Sequence, residues 1–82
     1  MNDIRDVQQV RQYLQDRLHS NPRLRINVQL NQPKIHLTDV EATLTGVYAH
    51  IFEIEETTSG RKQRHTLQYA DVLLRHIELL ED

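Results

Sequence analysis

The 82-residue chain has no cysteine, two glycines and two serines. Without cysteine there is no disulfide, no thiolate nucleophile and no thiolate metal ligand, which fits a reducing compartment. Two glycines are too few for a glycine-rich phosphate cradle, and two serines leave few hydroxyl nucleophiles. Unbroken apolar runs stop at three residues, "VYA" and "VLL", so no segment can span a bilayer as a helix. The opening "MNDIRDVQQV" carries charge from its third residue, where a secretion signal needs an apolar stretch. Together these features lead us to expect a cytoplasmic protein with no membrane contact. A net charge of −2, with 27% of residues charged, gives no general basic field for coating nucleic acid.

What remains is enough for one domain with a modest core, spanning residues 1–82. Ile4, Val7, Val10, Leu14 and Leu18 recur every three or four residues, which predicts a helix over residues 3–19. Asp3 is placed to cap it, with Asp6 in the first turn, where the helix dipole favours negative charge. The "HSNP" segment ends it, because the residue before Pro22 is driven from helical angles.

Beyond Pro22 the period becomes two. Leu24, Ile26, Val28 and Leu30 alternate with polar residues, predicting a strand with one buried face. After a turn at "NQP", Ile35 and Leu37 open a second strand. Its inward set then moves to Val40, Ala42 and Leu44, and a slip near Thr38 and Asp39 predicts a β-bulge that bends the strand. Thr45 and Gly46 read as a turn. Tyr48, His50, Phe52 and Ile54 share a face of the next strand, and "TTSG" signals a hairpin. If Glu56 pairs with Arg61, then Glu55 faces Lys62, Glu53 faces Arg64 and His65 lies opposite Phe52. The basic "RKQR" run then supplies cross-strand ion-pair partners.

The tail "RHTLQYADVLLRHIELLED" fits two structures. Tyr69, Val72, Leu73, Ile77 and Leu80 fit a helical stripe. Equally, "ADVL" can form one helical turn between two strands, the last placing Ile77 and Leu79 opposite His76 and Glu78. Periodicity does not choose between them.

No catalytic pattern is visible. His19, His36, His50, His65 and His76 are scattered, without ligand spacing for zinc, so no metal or other cofactor is expected. Glu53, Glu55 and Glu56 alternate with basic partners on a hairpin instead of converging in a cleft. A non-enzyme is the reading. Contacts to nucleic acid, if made, fall to Arg61, Lys62 and Arg64 at the hairpin tip and to Arg23 and Arg25 on a strand face. Tyr13 is the one aromatic outside the expected core to stack on bases, so such contact should be weak and salt-sensitive.

The order "YAHIFEI", a polar hairpin, then "YADVLLRHIEL" resembles the Veg family of small proteins from Gram-positive Firmicutes. The matching positions are Tyr48, Ile51, Phe52, Tyr69, Ala70, Asp71, Val72, Leu73, Ile77, Glu78 and Leu79. The similarity extends weakly upstream through "LRINVQLN". Two segments depart: "NQPKIHLTD" replaces a glycine-rich basic stretch, and "YAH" stands where relatives have "YPS".

The resemblance implies an α+β fold, a helix packed on a small five-stranded SH3-like or Sm-like β-barrel over residues 23–79. It implies that "YADVL" is a helical corner, braced by Asp71 accepting backbone N–H groups, with Tyr69 in the barrel wall. It also implies a non-catalytic regulator of biofilm formation and the transcription behind it, acting through a protein partner such as a transcriptional repressor. The polar face of the helix and the edge strands are the surfaces expected to meet that partner or a second copy.

Overall fold

The computed structural model describes residues 6–80. The first helix, α1 (Val7–Ser20), begins later than its apolar stripe suggests. Asp6, expected within the first turn, is the cap itself. Its backbone is extended, with φ −149°, and its Oδ1 accepts the Gln9 N–H at 2.9 Å, satisfying a donor that the helix leaves free. Asp3 and Ile4 lie outside the described residues. At the other end the Asn21 N–H reaches the Arg17 carbonyl at 2.9 Å, and Pro22 follows. Val10 and Leu14 are fully buried, while Tyr13 and Leu18 pack against the core from its margin.

Five strands follow: β1 (Arg23–Asn31), β2 (Lys34–Val47), β3 (Ile51–Glu56), β4 (Gln63–Gln68) and β5 (Ile77–Leu80), with a short helix α2 (Tyr69–Leu73) before the last. All pairings are antiparallel. The bulge expected in the second strand is present. Ile26 pairs with Val40 and Val28 with Leu37, so Thr38 and Asp39 together oppose Asn27. Asp39 takes φ 51° there; its N–H is held by Asn27 Oδ1 at 2.6 Å, and its carboxylate by Arg25. The inward set changes parity across this site, from Ile35 and Leu37 to Val40, Ala42 and Leu44, because the extra residue reverses which side chains point in.

Thr45 and Gly46 do not turn the chain. β2 continues through them with a second register shift between Leu44 and Gly46, and the reversal falls at residues 48–50, closed by the Tyr48 N–H on the Ile51 carbonyl at 2.9 Å. Gly46 serves a steric need instead: a Cβ there would lie 2.5 Å from the Tyr48 hydroxyl. The strand leaves room for a ring, and glycine provides it.

The tail is a corner and a strand. α2 is five residues long, and the chain leaves it through Arg75 at φ 64°, the left-handed residue that commonly stops a helix. The His76 N–H reaches the Asp71 backbone carbonyl at 3.0 Å. Ile77 is buried and Glu78 exposed, in line with the strand alternative.

The strands form one sheet in the order β4-β3-β2-β1-β5. Helix plus five antiparallel strands is the expected α+β arrangement, but the sheet is not closed. The chain enters α2 directly from β4 and then runs β5 along β1, so β4 and β5 remain the two edges. The core is apolar side chains from every strand and both helices. At its centre Phe52 and Tyr69 stack with ring centroids 5.6 Å apart and planes at 18°, an offset geometry that adds about 0.5–1.5 kcal/mol beyond burial. Tyr69 is wholly inside the core, and its hydroxyl donates to the Tyr48 carbonyl, tying the corner to the β2–β3 turn. Burial pushes that phenol's pKa up.

Candidate interaction surface

The β3–β4 hairpin carries most of the chemistry that the sequence singles out. Its register differs by two residues from expectation. Glu56 pairs with Gln63, Glu55 with Arg64 and Ile54 with His65, while Phe52 faces Leu67. Residues 57–62 therefore make a longer connection than a tight "TTSG" turn, with Gly60 at φ 82°.

The cause lies at Glu56. Counted by twos from Phe52 and Ile54, Glu56 falls on the buried face, and it is 3% exposed, the one buried charged side chain among the described residues. Its Oε1 accepts the Thr58 N–H at 2.7 Å and the Thr58 hydroxyl. Its Oε2 lies 2.7 Å from His65 Nε2. Burial pushes the Glu56 pKa up, but the hydrogen bonds from Thr58 and His65 and the imidazole's charge outweigh it. The net result lies below the ordinary 4.5. A buried carboxylate that cannot leave these partners fixes where the strand ends and where the connection begins.

The basic residues are mostly neutralised in place. Glu55 takes Arg64 Nε at 3.0 Å and Lys62 Nζ at 4.0 Å, so it gathers the two cations expected to face Glu53 and Glu55 separately. The Glu55 hydrogen bond, then the charges of Glu53 and Glu55, push the Arg64 pKa up. Glu53 instead lies opposite Thr66 and accepts the Thr45 hydroxyl at 2.9 Å. Arg23 is 3.7 Å from Glu41, and Arg25 engages Asp39. Arg61 has no ion pair among the described residues. Arg23 and Lys62 do come together, at one shallow cleft of about 330 Å³ that also holds Glu41, Glu55 and Glu56; Arg25 is not part of it. Carboxylates thus sit among the cations, and the cleft has no strong field of either sign.

Tyr13 is not the available aromatic. It is half-buried, with Arg17 stacked over its ring at 6.0 Å and bonded to its hydroxyl at 3.0 Å. Tyr48, which periodicity places with the core face, is 54% exposed instead.

At the corner, Tyr69, Ala70, Asp71, Val72 and Leu73 act as structure. The Asp71 carboxylate takes no backbone N–H; it lies 3.3 Å from His76 Nδ1, and its bracing of the turn is through its backbone carbonyl. Val72 and Leu73 pack on the core from the outside. Among the described residues no group of three or more histidine, aspartate or glutamate side chains could hold a metal ion, and no helix is long and apolar enough to cross a membrane.

Helix, bulged strand, hairpin and the Tyr69 corner together span the stretch that a family model recognises. The model described as biofilm formation stimulator VEG matches residues 5–80. The chain belongs to the Veg family. No curated protein and no solved structure matches it significantly. Membership covers α1 as well as the sheet, so the helix is part of the Veg unit. It also connects the chain to stimulation of biofilm formation, a regulatory description that names no reaction.

Proposed function

We propose that this chain is a non-catalytic regulator that modulates transcription linked to biofilm formation by binding a protein partner. The observation that carries this reading is the Veg-family match over residues 5–80. Two features of the surface support a protein over nucleic acid. Lys62, Arg64, Arg23 and Arg25 each have a carboxylate beside them, which weakens attraction for phosphate. The two sheet edges, β4 and β5, offer backbone groups that a partner strand can pair with. The bulged β2 and short β5 support an open SH3-like or Sm-like barrel as the scaffold.

The test compares biofilm mass and matrix-gene transcripts in the host cell with the gene removed, restored, or restored as an Arg61/Lys62/Arg64→Ala triple variant. Loss on removal and full recovery with both restored forms fits regulation through a protein. Unchanged transcripts on removal would sink the reading. The second reading, a weak nucleic-acid contact, rests on Arg61 at the hairpin tip, and recovery with the wild type alone would favour it.

A further inference from the structure

The open side of the sheet is more than two separate edges. β5 covers the outer edge of β1 only from Arg25 to Val28, with one further bond, from the Gln29 N–H to the His76 carbonyl at 2.8 Å. Backbone groups alternate sides along a strand. The N–H of Asn31 therefore points the same way as that of Gln29, past the end of β5. β4 pairs with β3 on one side only. These two uncovered stretches, residues 29–31 and residues 66–68, line the same groove of about 420 Å³. Each is about 10 Å long at a strand's rise of about 3.3 Å per residue.

We infer that this groove is the docking site for an extended segment of the protein partner, inserted as a further strand between β1 and β4; this rests on the protein-partner reading above. The groove's chemistry specifies the segment. Its rims are the amides of Gln29, Asn31 and Gln68 and the hydroxyl of Thr66, neutral groups that suit a peptide backbone. Its two ionisable residues, Asp71 and His76, face each other at 3.3 Å, leaving neither as a lone charge for a charged ligand. Leu67, 1% exposed, and Leu30, packed at the core margin, form its apolar lining. An inserted strand turns alternate side chains toward them. The occupant is an uncharged segment, aliphatic at every second position, held chiefly by main-chain hydrogen bonds.

The experiment titrates the ¹⁵N-labelled full chain with a blocked peptide that alternates threonine and valine over six residues between terminal lysines. A control peptide carries proline at the central valine and cannot complete a ladder. Docking predicts amide shifts and slowed hydrogen exchange confined to residues 29–31 and 66–68, lost with the proline peptide. Shifts centred on β5 or α1, equal shifts from both peptides, or no shifts up to the peptide's solubility limit would overturn the proposal. So would concentration-dependent shifts at the same residues without peptide, which would make a second copy the occupant. The transcript assay is independent of the groove. Groove binding with unchanged transcripts removes the regulatory reading alone, and regulation with a silent groove removes this proposal alone.

Discussion

Glu56 shows how a single side chain can override a local pattern. Its neighbours in "EIEETTSGRK" invite a reading of solvated charge, yet the carboxylate turns inward to Thr58 and His65. Replacing it by glutamine keeps the shape and removes the charge that strengthens those bonds. We expect Glu56→Gln to lower stability by about 1–3 kcal/mol, read as a lower midpoint in urea denaturation near neutral pH. The sign of the pH dependence follows from the lowered folded-state pKa. A carboxyl whose folded pKa lies below its unfolded value contributes stability above the unfolded value and loses it as pH falls through the folded one. The gap between wild type and Glu56→Gln should be widest near neutral pH and narrow below pH 4.5. A gap that holds constant into acid would mean that the charge contributes nothing and that only packing was lost.

Among elements, those with an uninterrupted or cleanly broken period were legible in the sequence. Val10 and Leu14 fixed the buried face of α1, and the parity change from Leu37 to Val40 located the bulge. The hairpin register was not legible, because it depends on Glu56 being inside, and a charged residue next to a polar loop carries no local sign of that. The corner was ambiguous because Tyr69, Val72 and Leu73 fit a helical stripe and a corner equally well. Only the wider resemblance chose between them.

The corner now gives two opposed predictions. Arg75 holds φ 64°, a conformation costly for any residue with a Cβ, so Arg75→Gly should raise stability by about 1 kcal/mol or less. Asp71→Ala removes the 3.3 Å contact with His76 at a partly exposed site, for about 0.5 kcal/mol. In a domain of this size that is about 2–4 °C in melting temperature. A melting temperature left unchanged by Asp71→Ala would show that the backbone bonds hold the corner alone.

For the molecule as a whole, openness of the sheet and dispersal of charge are the properties that bear on function, and neither has a local signature. Whether β4 meets β5 depends on the path of a corner through space, and the strands' own patterns are the same either way. Charge dispersal likewise depends on which acid reaches which base. The run "GRKQR" suggests a basic tip, but Glu55 receives both Lys62 and Arg64, and the chain's net charge is −2. Arg61 is left as the one cation of that tip without an ion pair among the described residues. A phosphate backbone gains affinity in proportion to the cations it can neutralise, with log K falling by about 0.9 per contact for each tenfold rise in salt on duplex DNA. With one such cation, binding of labelled duplex DNA should stay near the floor of a fluorescence-anisotropy titration at physiological salt. Lowering the salt tenfold should strengthen it by no more than about tenfold. A steep salt slope, abolished in the Arg61/Lys62/Arg64→Ala variant, would mean that Glu55 releases its partners to phosphate. The hairpin tip would then be a nucleic-acid contact in spite of its internal pairing.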